Sequence, residues 1–150
     1  MSLRSSSRRG RSRAQAMVEF ALVAPMFFLL LFGIIEAGRF IFYYETLNHA
    51  TREGARYAIV NGANTLGCPT GPAAPGSTPC DTAGNDVKAR VRQAALGVAG
   101  TITVVPTWYL DNGRGSTVNV HATATYTTLV PLVPLPPITV TAESSLVINN

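Results

Sequence analysis

A continuous apolar run dominates the first third of the chain. It covers residues 17–35, and Glu19 is the single charged residue within it. A helix over these 19 residues would be about 28 Å long, which is close to the roughly 30 Å hydrocarbon thickness of a bilayer. Pro25 lies inside the run, but proline is tolerated in spanning helices where neighbouring groups satisfy the freed carbonyl. The pattern therefore predicts one membrane-spanning helix.

The helical pattern continues past the apolar run as far as Val60, where Asn61 and Gly62 provide a stop signal. Glu36 and Arg39 follow the run three residues apart, a spacing that favours an ion pair at the far membrane interface. Four aromatic residues, typical of the belt at a membrane surface, come next at Phe40, Phe42, Tyr43 and Tyr44. We therefore expect one helix that leaves the membrane and continues into a domain.

Small residues recur at helical spacing on this helix. Ala50, Gly54 and Ala58 form one stripe, and Gly33 and Ala37 form a similar pair inside the span. Such stripes allow another helix to approach closely. For the first stripe, packing against the chain's own domain is an equally good interpretation.

The remainder of the chain switches from helical to strand periodicity. A short helix is predicted over residues 85–97, with Asp86 as its N-cap. Alternating apolar and polar residues predict strands at 101–105 with a continuation at 108–110 after Pro106, at 118–127, and at 138–143 with a continuation to 148.

Together these elements predict an α+β fold. A long N-terminal transmembrane helix extends into a small exported domain, which has a second short helix and a roughly three-stranded antiparallel sheet. We expect four segments. Residues 1–14 form a basic cytoplasmic leader and 15–62 the transmembrane and extended amphipathic helix; residues 63–84 form a Pro/Gly-rich disulfide loop and 85–150 the α+β domain.

Charge is concentrated in front of the apolar run. Five bases without an accompanying acid lie there, at Arg4, Arg8, Arg9, Arg11 and Arg13, whereas six acids balance six bases from Glu45 onward. Basic residues immediately before a span stay cytoplasmic, so the tail predicts a cytoplasmic N-terminus. A solvated disordered arm is the alternative interpretation. Nucleic-acid binding is disfavoured because the tail lacks interleaved aromatic residues and adjoins the span.

A cleaved signal peptide is the main alternative to a permanent span. The basic N-terminal region fits it. The end of the run does not, because Ile35 stands two residues before Ala37 where a signal peptidase requires a small residue.

The loop contains the two cysteines, Cys68 and Cys80. Outside the cytoplasm an oxidised pair is expected, and it would stabilise the fold by roughly 2–4 kcal/mol. Two thiols fall short of a structural zinc set. His49 and His121 lie among polar positions without a suitably spaced acid, and no glycine-rich phosphate loop opens a helix. We therefore expect no enzyme activity, no cofactor or metal, and no small-molecule substrate.

Three motifs occur in order along the first 62 residues. They are AQAMVEFALVAP at 14–25, GIIEAGRF at 33–40 and ATREGARYA at 50–58. In these motifs the chain resembles the TadE-like family, which comprises minor pilins or pseudopilins of tight-adherence (Tad/Flp) pilus systems, a branch of the type IV pilus superfamily. The resemblance implies a non-catalytic role in pilus assembly.

The resemblance also assigns roles to particular residues. It implies that a prepilin peptidase cuts between Ala14 and Gln15, which makes Glu19 the fifth residue of the mature chain. Ala14 stands where the family has glycine. The glutamate of the superfamily pairs with the new N-terminal amine of a neighbouring subunit, so we expect Glu19 to act in subunit assembly; the alternative is that Glu19 lies at the cytoplasmic headgroups.

The expected partners are the membrane, the prepilin peptidase, other pilins or pseudopilins and the Tad assembly proteins. The expected location is the bacterial inner membrane, with the N-terminus cytoplasmic and the C-terminal domain periplasmic or extracellular. Two alternatives remain: an uncleaved single-pass membrane-anchored binding module with an exported α+β domain, and a soluble protein released by signal peptidase.

Overall fold

The first helix, α1, extends over Arg8–Val60, which is 53 residues. The computed structural model describes residues 8–129 and 136–149, with side chains described from residue 13 onward. The helix passes through Pro25 and ends where Asn61 donates to the carbonyl of Tyr57 from its backbone nitrogen (3.1 Å) and from its side-chain amide (2.9 Å). The predicted end of the helix is thus confirmed.

The second helix, α2, covers Asn85–Ala94 and buries Val87 and Val91. Its predicted N-cap was wrong. Gly84, with φ 64° and ψ 37°, precedes the helix, and the carboxylate of Asp81 accepts a hydrogen bond from the backbone N–H of Asp86 at 2.7 Å. Asp86 itself lies in the first helical turn, where the negative charge of a carboxylate interacts favourably with the helix dipole.

Three antiparallel strands follow, β1 (Ile102–Trp108), β2 (Thr117–Tyr126) and β3 (Ile138–Val147), and they lie in the order β1-β2-β3. The predicted α+β class and the three-stranded sheet are confirmed. Pro106 does not interrupt β1, contrary to the expected break, because β1 is an edge strand and one of its sides needs no ladder hydrogen bonds.

One face of the sheet packs against the second half of α1. On β2 the residues at alternate positions are buried, as the strand pattern predicts: Val118, Val120, Ala122, Ala124 and Tyr126. Helix α1 contributes to the same core with Tyr43, Leu47, Ala50, Ala55 and Ala58. The helix that carries the apolar run thus also contributes to the core of the domain, so the run and the domain share one continuous element.

The strand direction defines a membrane end and a distal end of the domain. Tyr126, the last residue of β2, contacts Glu36 just after the apolar run, whereas the backbone of Asn112, before the start of β2, bonds to Ala63 just after the end of α1. Strand β2 therefore runs antiparallel to α1, towards the apolar run.

Candidate functional site

The first half of α1 carries an exposed apolar surface. The side chains of Met17, Phe20 and Met26 are 73%, 72% and 75% exposed, and the surrounding apolar residues are exposed as well. In the part of the chain that the structure describes, one helical stretch, Arg13–Val60, is long and apolar enough to cross a membrane. A soluble protein rarely exposes an apolar surface of this extent. Together with the family match reported below, the helix indicates membrane anchoring.

The residues predicted for processing and assembly lie at the start of this exposed surface. Ala14, Gln15 and Glu19 are all exposed, and α1 continues through them without a break. Glu19 lies four residues after Gln15, which places both on one side of the helix. Among the described residues no hydrogen bond or ion pair of the Glu19 carboxylate occurs.

A membrane-proximal clamp, defined as Glu36, Arg39, Tyr126 and Leu129, joins α1 to the end of the sheet. The carboxylate of Glu36 accepts hydrogen bonds from the Tyr126 hydroxyl at 2.5 Å and from the Leu129 N–H at 3.2 Å. Arg39 Nη1 also donates to it, at 3.2 Å, which confirms the ion pair expected from the spacing. The clamp connects residues that are about 90 positions apart in sequence, and sequence reasoning missed its C-terminal half.

Aromatic rings surround the clamp. Phe40 and Tyr43 both pack edge-on against Tyr126, with ring centroids 5.3 Å apart in each pair, and the Arg39 guanidinium lies 5.7 Å from the centre of the Tyr126 ring. The Tyr43 hydroxyl donates to the carbonyls of Ala99 and Thr125. The predicted aromatic belt was therefore wrong for Tyr43, which belongs to the domain core, and for Phe40, which is partly buried against that core.

The other two aromatic residues of this run, Phe42 and Tyr44, face away from the sheet. Phe42 and Tyr44 are 59% and 44% exposed. The local reason is the helical period: on α1 the residues at 40, 43 and 47 face the sheet, so 42 and 44 point away from it. Only part of the aromatic cluster is thus free to contact a membrane surface.

The small-residue stripe of Ala50, Gly54 and Ala58 packs within the chain's own domain. All three residues are buried, and a Cβ atom at position 54 would overlap the side chain of Val91 on α2. In contrast, Gly33 has no heavy atom within 4 Å of a Cβ built on it. The stripe of Ala50, Gly54 and Ala58 therefore allows α2 to pack closely on α1, whereas the pair of Gly33 and Ala37 is not covered by another part of the described chain.

The Cys loop is held at the distal end of the domain. The structure brings Cys68 and Cys80 together with their Cα atoms 5.5 Å apart, which lies within the usual span of a disulfide. Asn112, which is fully buried, anchors the same loop: its Oδ1 accepts from the Ala74 N–H at 3.0 Å and from the Ser77 hydroxyl at 3.2 Å. The sequence pattern did not predict this role of Asn112.

Two glycines of the loop region cradle Trp108. Gly71 and Gly84 both have positive φ, and a Cβ atom at either would overlap the indole ring.

The two histidines lie on different elements: His49 is exposed on α1, and His121 is half-buried on β2 opposite Val105 and Glu143. Among the described residues no group of three or more His, Cys, Asp or Glu side chains is placed to hold a metal ion.

Comparison with known proteins identifies the first part of the chain. A family model described as TadE-like protein matches residues 14–56. No curated protein and no solved structure matches the chain. The matched segment includes the first two motifs and most of the third, and on the structure it covers the exposed apolar surface, Glu36, Arg39 and most of the buried half of α1. The resemblance predicted from the three motifs is confirmed for residues 14–56, where the chain is similar to the TadE-like family.

Proposed function

We propose that the protein is a minor pilin or pseudopilin that supports assembly of a tight-adherence type pilus and has no catalytic activity. One observation carries the proposal. The TadE-like segment lies within a single helix whose first half is an exposed apolar rod and whose second half contributes to the core of the α+β domain. Such a subunit is held in the membrane by its rod until neighbouring rods cover it.

Processing is the first part of the proposal. A prepilin peptidase cuts between Ala14 and Gln15, which removes the basic leader and places Glu19 fifth in the mature chain. The exposure of Ala14 and Gln15 is consistent with access by a protease. Alanine at position 14 adds one methyl group to the glycine of the family, and we expect the peptidase to accept it.

Glu19 has the assembly role. An isolated carboxylate within a bilayer is costly, and an opposite charge nearby offsets that cost. The new amine of Gln15 on a neighbouring subunit supplies such a charge. Because the pair forms between molecules, it sets the register of one rod against the next.

Mass spectrometry of the membrane-extracted protein tests processing. The proposal predicts an N-terminus at Gln15 in cells with an active prepilin peptidase and a longer chain in cells without the peptidase. Retention of the basic leader in both strains would instead favour an uncleaved, membrane-anchored binding module. An N-terminus near Gly38 would favour a secreted protein.

A Glu19→Ala variant tests assembly. We expect normal amounts of processed protein and a loss of pili, because the exported domain does not involve Glu19. Glu45→Ala is a matched control, since Glu45 is an exposed glutamate of the same helix beyond the apolar run. Normal piliation in the Glu19→Ala strain would reject the pairing role.

A further inference from the structure

A small cavity lies where α1 leaves the apolar run. Its volume is about 210 Å³, several times the roughly 30 Å³ that one water molecule takes in the liquid. It lies between α1, the loop after α2 and the end of β2. Its lining residues are Arg39, Phe42, Tyr43, Gly97, Ala99, Thr125, Tyr126 and Thr127.

The depth of this cavity matches the headgroup layer. Arg39 follows Ile35, the last residue of the apolar run, by four positions, which is about 6 Å along a helix. Charged side chains near the end of a span reach into the lipid headgroups. Arg39 is the one charged residue that lines the cavity within the described part of the chain.

The Arg39 guanidinium has donors to spare. Its side-chain hydrogen bonds among the described residues come from Nη1 alone, both to Glu36 at 3.2 Å, whereas a guanidinium has five N–H donors in a planar fork. The Glu36 carboxylate receives two further donors, from Tyr126 and Leu129. Arg39 can therefore keep its contact with Glu36 and present its remaining N–H groups to another acceptor.

Exposed apolar side chains flank the cavity. Phe42 lines it and is 59% exposed. Leu96, the neighbour of the lining residue Gly97, is 78% exposed. A phospholipid can fill both parts of this site, because its phosphate can bind the arginine while its apolar groups contact the exposed apolar side chains. A free anion can bind only the arginine.

We propose that this cavity binds the headgroup phosphate of a phospholipid in the leaflet on the side of the exported domain, with Arg39 as the phosphate ligand and Phe42 and Leu96 against the lipid's apolar part. The proposal rests on the membrane span of the proposed function and is independent of processing and pilus assembly. It adds a lipid to the partners of the subunit and fixes the depth at which the domain lies.

The test uses the full chain in detergent micelles with limiting amounts of dioleoyl phosphatidylglycerol, and native mass spectrometry counts the bound lipid. We expect Arg39→Gln to weaken retention of the first lipid roughly tenfold, as the loss of a charge-assisted hydrogen bond implies. Arg52→Gln, at an exposed arginine of α1 that does not line the cavity, should retain the lipid like the unchanged protein. Arg39→Lys keeps the charge and should retain part of the affinity, which separates charge from folding defects.

Two results would overturn the proposal. One is equal lipid retention by the Arg39→Gln and Arg52→Gln variants. The other is displacement of the lipid by inorganic phosphate at the lipid's own concentration, which would indicate a free-anion site. A separate experiment tests the membrane span itself. Release of the protein from membranes by alkaline carbonate would contradict membrane anchoring, and it would leave the lipid binding measured in micelles unchanged.

Discussion

The hydroxyl of Tyr126 donates a hydrogen bond of 2.5 Å to the carboxylate of Glu36, 90 residues earlier in the chain. This contact ties the end of β2 to the point where α1 leaves the apolar run. Because Tyr43 and Phe40 also pack against the Tyr126 ring, the membrane end of the domain is fixed to the helix through several contacts at once. These contacts fix the end of β2 to the point where α1 leaves the apolar run.

The Tyr126 contact predicts a stability change at alkaline pH. Burial, together with the hydrogen bond to Glu36, raises the pKa of Tyr126 above its ordinary value of 10.0. The unfolded chain therefore loses the phenolic proton at a lower pH than the folded chain. The stabilisation is fully present below about pH 10 and is lost as the pH rises towards the folded pKa.

Unfolding of the full chain in detergent, measured between about pH 9 and pH 12, checks this prediction. The unchanged protein should lose stability more steeply than Tyr126→Phe, which has no phenol to ionise at that position. Tyr109→Phe is the control, because Tyr109 is 81% exposed and should leave the steep decline in place. Parallel curves for the unchanged protein and Tyr126→Phe would contradict the assignment.

Gly54→Ala should destabilise the α+β domain. The added Cβ meets the Val91 side chain, and Val120 and Val87 lie 3.6 Å from the same point. A β-branched side chain in a helix has one strongly preferred rotamer, so Val91 cannot relieve the overlap by changing its χ1 angle without a conformational cost. We expect a loss of roughly 1–3 kcal/mol in the free energy of unfolding.

Gly33→Ala is the matched control for that experiment. It is also a helical glycine of α1, and nothing lies within 4 Å of its added Cβ. Thermal unfolding followed by near-ultraviolet circular dichroism should show a lower midpoint for Gly54→Ala and no decrease for Gly33→Ala. Equal midpoints for the two variants would reject the contact between α1 and α2 as described.

Asn112→Ala should loosen the Cys loop. The substitution removes the Oδ1 acceptor of the Ala74 N–H and the Ser77 hydroxyl, which then keep only their hydrogen bonds to each other. Each lost hydrogen bond costs about 0.5–1.5 kcal/mol. Asn64→Ala, at an exposed asparagine of the same region, should have little effect. Limited proteolysis would show faster cleavage within residues 69–80 in Asn112→Ala, and equal cleavage rates in the two variants would contradict the anchor.

The disulfide between Cys68 and Cys80 remains a prediction, and a mass shift on reduction and alkylation tests it. Exported protein should show no free thiol before reduction and two afterwards. The double variant Cys68→Ser with Cys80→Ser should lose roughly 2–4 kcal/mol of stability, since the unfolded loop gains freedom. Two free thiols in the exported protein before reduction would reject the bond.

The sequence alone determined the elements. Apolar periodicity and the stop signal at Asn61 and Gly62 predicted α1 to its last turn, and the alternation along 118–127 predicted which side of β2 is buried, because both patterns follow from the period of a single element. The three motifs likewise predicted the TadE-like segment. These are local signals, and each can be read within some 20 residues.

The tertiary structure decided what covers each face. The period of α1 shows that Ala50, Gly54 and Ala58 share a face. It does not indicate whether another subunit or α2 packs on that face. Likewise, the run of aromatic residues at 40–44 resembled a membrane-surface belt, and only the structure showed that Tyr43 lies in the core. The contacts of Glu36 with Tyr126 and of Asn112 with Ala74 join residues far apart in sequence. Such pairs arise only when the chain closes on itself, because the free energy that selects them comes from burial and hydrogen bonding between distant elements.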